Sequence, residues 1–94
     1  MDEYPVVSIS LVIPMFGVER YLPDLLKSFE QQNEGAYSLE YVFVDDGSPD
    51  ASGQLAEEWL AQTEAKGTVV RKTNGGVSSA RNLGLEFVTG DWVT

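Results

Sequence analysis

Two largely apolar runs, 6–13 (VVSISLVI), rich in β-branched side chains, and 39–44 (LEYVFV), stand apart in the chain. Stretches whose apolar residues recur at helical spacing lie between and after them, and short polar loops join the pieces. These observations predict a Rossmann-like, three-layer α/β/α fold, with right-handed βαβ units on a mostly parallel sheet. Strands that lack polar alternation are those covered on both faces, as in the middle of such a sheet.

Pro14 is expected to end the first strand, because it has no N–H to give a ladder. Over residues 18–32, Leu22, Leu25, Leu26 and Phe29 form one apolar stripe, while Arg20, Asp24, Lys27 and Glu30 face water. Pro23 is tolerated if it lies in the first turn. Residues 31–38 (QQNEGAYS) read as a loop, and the second strand then runs to the acidic pair Asp45 and Asp46. After a turn at 47–50, Leu55, Ala56, Trp59 and Leu60 mark a second helix, with Asp50 or Ser52 as its N-cap. Residues 68–71 make a third strand and 72–76 (KTNGG) a loop. Val77, Ala80, Gly84, Phe87 and Val88 then mark a third helix, stopped by Gly90. Residues 91–94 begin a fourth strand and stop. The third helix is thereby left without the sheet position it should reach, so residues 1–94 are expected to be the first part of a single domain.

The 94 residues carry fifteen Asp plus Glu against six Lys plus Arg, a formal charge of -9, with no Cys and no His. A hydrophobic content of 43% with 11% aromatics belongs to a folded domain rather than a disordered acidic tail. The missing Cys and His exclude a disulfide framework, a thiol nucleophile, a zinc knuckle and a Ser-His-Asp triad within this chain. The negative charge disfavours nucleic-acid partners, leaving only a locally basic pocket to accept an anion, and Arg71, Lys72 and Arg81 fall close together. The longest apolar run is too short to span a bilayer, and Met1-Asp2-Glu3 does not resemble the start of a signal peptide, so a cytoplasmic address is expected.

Ligands of open parallel sheets bind beyond the carboxyl ends of the strands. Pro14, Met15, Phe16 and Gly17 follow the first strand, with Glu19 close behind. Asp45-Asp46-Gly47-Ser48 follows the second, and Asn74-Gly75-Gly76 the third, with Arg81 on the next helix. Neither a Gly-rich dinucleotide fingerprint nor a P-loop is present. Phe16 could form a flat wall for a base or ribose, or simply be core. Adjacent Asp45 and Asp46 project to opposite sides, so one can face the crevice while the other braces the loop. A carboxylate there can accept a uracil imide N–H or a ribose hydroxyl, although Asp-Asp-Gly-Ser is also a good turn sequence. Asn74-Gly75-Gly76 can take left-handed angles and present amides where a helix dipole favours anions. Arg81, at the margin of the core face, can reach either crevice or solvent. A receiver-type phospho-acceptor pair would instead place its acids after the first strand.

Four segments recur together: Val7 through Pro14 with Val18-Glu19-Arg20-Tyr21-Leu22; Tyr41 through Ser48; Asn74 through Gly84; and Thr89-Gly90-Asp91. In this order and at this spacing they resemble the N-terminal, nucleotide-binding half of the catalytic domain of a family 2 glycosyltransferase of the GT-A fold. The resemblance implies a nucleotide-sugar donor, commonly a UDP-sugar. Pro14, Met15, Phe16 and Glu19 would line base and ribose, Asp46 would take the uracil edge or ribose, and Gly75, Gly76 and Arg81 would lie near the nucleotide. Gly17 departs from the family, which usually has Asn there. In the family the strand that Trp92 begins leads on to an Asp-x-Asp motif, which holds Mg or Mn, and the catalytic base comes later still. The resemblance therefore implies an inverting, metal-dependent enzyme of glycan, glycolipid or surface polysaccharide synthesis acting on a sugar or lipid acceptor, at the cytoplasmic face of a membrane if the longer protein is attached to one. No metal site and no catalytic residue are expected within the chain itself, which alone should be inactive and could self-associate through exposed apolar surface. The alternative is a stand-alone, non-catalytic nucleotide-binding or protein-interaction module.

Overall fold

In a computed structural model, which describes residues 7–30, 37–88 and 92–93, the elements run β1 (Val7–Met15), α1 (Leu22–Glu30), β2 (Tyr37–Asp46), α2 (Ser52–Thr63), β3 (Gly67–Lys72), α3 (Val77–Leu85) and β4 (Trp92–Val93). The four strands form one parallel sheet in the order β3-β2-β1-β4. The chain thus steps outward from β1 to β3, then returns to the other side of β1. The crevice of such a sheet lies where that direction reverses. The doubly covered parallel sheet expected from the apolar runs is present. β4 also gives α3 the sheet position that the sequence alone left missing, pairing Ile9 with Trp92 and Ser10 with Val93.

Side-chain alternation divides the core into two layers. Leu11, Ile13 and Met15 of β1 and Leu39, Tyr41 and Phe43 of β2 pack with Leu22, Leu26, Ala56 and Trp59 from α1 and α2. Val12, Val42 and Val44 point to the other face, against Ala80, Leu83 and Val88. On the first face Trp59 stands edge-on to Tyr41, with ring centroids 5.1 Å apart, and its Nε1 donates to Glu30 Oε2 at 2.8 Å, joining α2 to α1.

Several boundaries differ from the sequence expectation. β1 passes through Pro14 to Met15, in register with Val44 and Asp45. Proline fits because β4 reaches only Ile9 and Ser10 among the described residues, so β1 has no ladder partner on that side at Pro14. Helix α1 starts at Leu22 rather than 18, which places Pro23 in the first turn. Leu25 is exposed rather than core, and so is Phe87, because α3 ends at Leu85 and Phe87 falls beyond the helical register. Tyr37 and Ser38, expected in the loop over 31–38, belong to β2 instead; the expected strand start at Val6, the helix end at Gln32, the rest of that loop and the Gly90 stop lie outside the described residues.

Gly84 sets how closely α3 approaches the sheet. A Cβ there would lie 2.6 Å from Val12 Cγ1 and 2.9 Å from Val44 Cγ2, both on buried valines. In Gly84→Ala the helix gains about 1 kcal/mol of intrinsic propensity, but overpacking costs about 1–3 kcal/mol. The expected result is a lower thermal midpoint by circular dichroism; an unchanged or raised one would contradict the close packing.

Candidate nucleotide site

The carboxyl ends of β1, β2 and β3 meet the start of α3. The strand period decides the roles of the two acids that close β2. Asp45 shares the parity of Tyr41 and Phe43 and turns toward α2, where its Oδ1 accepts the Ser48 N–H at 3.0 Å. Asp46 shares the parity of Val42 and Val44 and turns toward α3. There it helps line a cavity of about 40 Å³ with Pro14, Met15, Phe16 and Ala80. Phe16 is 53% exposed, so it stands as an open wall, whereas Met15 is buried beneath it in the core.

Asp46 is tied to the loop that leads into α3. Its Oδ1 accepts from Lys72 Nζ at 2.8 Å and Gly75 N at 2.9 Å, and its Oδ2 accepts from Gly76 N at 2.8 Å. Its backbone carbonyl accepts from Asn74 Nδ2 at 3.2 Å. The loop amides expected to meet a ligand anion are thus held by the protein's own carboxylate. Of the Asn74-Gly75-Gly76 run, only Gly76 takes a positive φ, +95°. Gly47, at φ +73°, admits the loop from the other side, since a Cβ would lie 2.7 Å from Asn74 N. The basic cluster is largely neutralised: Lys72 pairs with Asp46, and Arg71 with Glu57 at 2.9 Å.

A second set of bonds fixes Phe16 from below. Three successive amides of the β1–α1 loop donate to the turn before α2: Gly17 N to Ser48 Oγ at 3.0 Å, Val18 N to Ser52 Oγ at 2.9 Å and Glu19 N to Asp50 Oδ2 at 3.2 Å. Glu19 returns the contact, its Oε1 accepting from Ala51 N at 3.1 Å. The residue capping α2 by position is Ala51, neither Asp50 nor Ser52, but Asp50 Oδ1 accepts both the Ser52 N–H and its hydroxyl, so it caps from one residue earlier.

Pro14, Met15, Phe16 and Asp46 therefore come together, with Gly75 and Gly76 attached through the Asp46 carboxylate. Glu19 is engaged in the 50–52 turn. Arg81 is exposed and does not line the cavity, although the neighbouring Ala80 does. Sequence reasoning placed Lys72 in a basic cluster for an anion but missed its pairing with Asp46, which follows from its register opposite that residue, and the bracing by Ser48, Asp50 and Ser52. A larger cavity of about 290 Å³, lined by Phe29, Glu30, Tyr41 and Trp59, lies near the amino ends of β2 and β3. Parallel-sheet chemistry is found at the other end, so the smaller notch is the candidate site.

The hydrogen bond from Lys72 holds the Asp46 carboxyl below the usual carboxylate range, assisted by the Gly75 and Gly76 amides and opposed by burial. The Ser52 hydroxyl does the same for Asp50, helped by the amides of Ser52 and Glu19. Both groups bind protons more readily when unfolded. Their stabilisation is complete above the unfolded carboxylate pKa of about 3.9 and erodes as pH falls through the lower folded values. Relief of the net negative charge opposes this on acidification, so the comparison must be with a variant. The stability advantage of the wild type over Asp50→Asn in urea unfolding is expected to be constant above about pH 5 and to shrink below about pH 4. An advantage that grows on acidification would contradict the bonding around Asp50.

Residues 10–94 match Glycosyl transferase family 2, and the chain belongs to that family. It is 35% identical over 85 residues to the uncharacterized glycosyltransferase EpsJ of Bacillus subtilis, covering 90% of this chain and 24% of that protein. It is 38% identical over 95 aligned residues to the undecaprenyl-phosphate 4-deoxy-4-formamido-L-arabinose transferase of Pseudomonas fluorescens, covering 99% and 28%. The chain thus spans about a quarter of the length of these curated relatives. Residues 1–349 of TarS from S. aureus, solved in complex with UDP-GlcNAc, superpose with a TM-score of 0.80 at 31% identity, covering 92% of this chain and 25% of that one. The mannosyltransferase PcManGT of Pyrobaculum calidifontis shares the fold, with a TM-score of 0.83 at 22% identity, over 95% and 26% of the two chains. The GT-A arrangement expected from the four sequence segments is therefore present. Among the described residues, no helix is long and apolar enough to cross a membrane.

Proposed function

We propose that this chain is the nucleotide-binding part of an inverting glycosyltransferase that uses a UDP-sugar. The observation that carries this reading is the gathering of Phe16, Pro14 and Asp46 at the carboxyl ends of β1 and β2, within a family 2 chain similar to a protein solved with UDP-GlcNAc. A notch of about 40 Å³ is too small to enclose a base. The pyrimidine would lie over it, its face against the exposed Phe16 ring and its N–H edge toward Asp46. The Gly17–Glu19 bonds to the α2 turn keep the Phe16 wall in place without ligand, so little ordering is needed on binding. Arg81, exposed one residue from the cavity, would reach a bound nucleotide only from the rim.

The transfer itself is direct displacement of the nucleoside diphosphate by an acceptor hydroxyl, on a sugar or lipid acceptor in glycan, glycolipid or surface polysaccharide synthesis on the cytoplasmic side. A divalent cation, Mg or Mn, belongs to this reading of the longer enzyme. The described residues of this chain do not fit it: they contain no group of three or more acids that could hold a metal, and the ammonium of Lys72 already occupies Asp46.

The test is saturation-transfer NMR on the chain with UDP-GlcNAc, ATP and NADH. Transfer to the uracil protons alone, lost in Phe16→Ala, is expected. Equal transfer to ATP or NADH would defeat the reading.

A further inference from the structure

We infer that Lys72 is a positioning residue that makes the site select a base whose ring N3 carries a proton, uracil over cytosine, by fixing the Asp46 carboxylate as a pure acceptor. This rests on the reading of the notch as a base site.

Lys72 ends β3 directly opposite Asp46, the last residue of β2. Its side chain is 17% exposed and that of Asp46 only 5%, so the pair is shielded from water. Besides Asp46, the ammonium donates to the Thr73 carbonyl at 2.6 Å, which leaves it little freedom to swing away. The loop packs directly onto it: a Cβ at Gly75 would lie 2.8 Å from Nζ. Lys72, Gly75 and Gly76 together donate three hydrogen bonds to the carboxylate, two on Oδ1 and one on Oδ2. A carboxylate has about four acceptor positions, so one remains, on Oδ2, for a ligand.

An ionised carboxylate can only accept, and the partner must bring the proton. Uracil does so with its imide N–H. Cytosine presents an unprotonated ring nitrogen at the same position, which an anion repels and a protonated Asp46 would meet; its donor is the neighbouring 4-amino group, displaced from that position. The titratable group facing Asp46 is Lys72 on β3; Asp45, its chain neighbour, turns to the other side of the sheet toward Ser48, and the other cavity residues, Pro14, Met15, Phe16 and Ala80, carry none. Removing Lys72 therefore leaves a shielded carboxylate without its cation, and this favours its protonation.

The test uses the 94-residue chain as wild type, Lys72→Arg and Lys72→Met. UDP and CDP are titrated by heteronuclear NMR at about pH 5 and pH 7, and the Asp46 carboxyl carbon is followed through its own titration. The wild type is expected to prefer UDP about tenfold or more, the worth of one hydrogen bond to a charged group. Lys72→Met should raise the Asp46 midpoint and collapse that preference at the lower pH, and Lys72→Arg should keep both. An unchanged Asp46 midpoint in Lys72→Met, or an unchanged UDP preference, would overturn the role of Lys72. No response of the wild type to either nucleotide, with the midpoint shift still present, would instead overturn the base-site reading on which the inference rests.

Discussion

Phe43→Ala is expected to cost about 3–5 kcal/mol, the usual range for deleting a buried aromatic ring, and to lower the thermal midpoint by about 12 °C or more. Phe43 has no exposed surface and sits among three other rings, Phe29 lying 6.5 Å away. Tyr41 stacks with it at 6.2 Å and 16°, and Trp59 stands edge-on at 6.1 Å and 81°. The cavity would open in the middle strand region, where neighbours from α1, α2 and β1 cannot all collapse inward. Against a total stability of about 5–15 kcal/mol for a domain of ordinary size, this brings the chain close to its folding limit. Leu85→Ala is the control, because Leu85 is 45% exposed and its loss should fall within about 0.5 kcal/mol. A loss below about 1 kcal/mol for Phe43→Ala would mean that the aromatic layer is not the core.

Asp46→Ala should leave that core untouched and dismantle the site. It removes the acceptor of a shielded ammonium and of two successive amides, Gly75 and Gly76. The far-UV spectrum is expected to stay wild-type. Amide exchange at Gly75 and Gly76 should accelerate about tenfold or more, and the response to UDP should weaken by a similar factor. Asp45→Ala separates the two acids, because Asp45 faces α2 and reaches Ser48 rather than the α3 loop. Global unfolding of Asp46→Ala would mean that the carboxylate is a fold determinant first. Equal loss of UDP response in both variants would mean that the strand parity does not assign their roles.

Local signals decide what can be read from the chain. The apolar runs around Val12 and Phe43 and the helical stripe through Ala56 and Trp59 are dense enough to place sheet and helices, and strand alternation foretells that Asp45 and Asp46 part company. Periodicity fails at the ends of elements. Leu25 and Phe87 fit the helical spacing, yet one lies at the edge of the α1 stripe and the other beyond the last turn of α3. Pro14 reads as a stop, but its missing N–H matters only if a partner strand lies on that side, which depends on how far β4 extends. The site is legible as residue types after strands. Its wiring is not: Lys72 on Asp46, and Ser48, Asp50 and Ser52 on the amides of residues 17–19, join segments 26 to 34 positions apart. Only the β1–β2–β3 register brings these partners into reach.

The most direct measurement is the map of amide shifts when the isotope-labelled chain is titrated with UDP at millimolar concentration. The geometry predicts weak, saturable shifts confined to Met15, Phe16, Asp46, Gly75, Gly76 and Ala80, all at one rim of the sheet. Shifts centred instead on Glu30, Tyr41 and Trp59, at the opposite end of the strands, would contradict it.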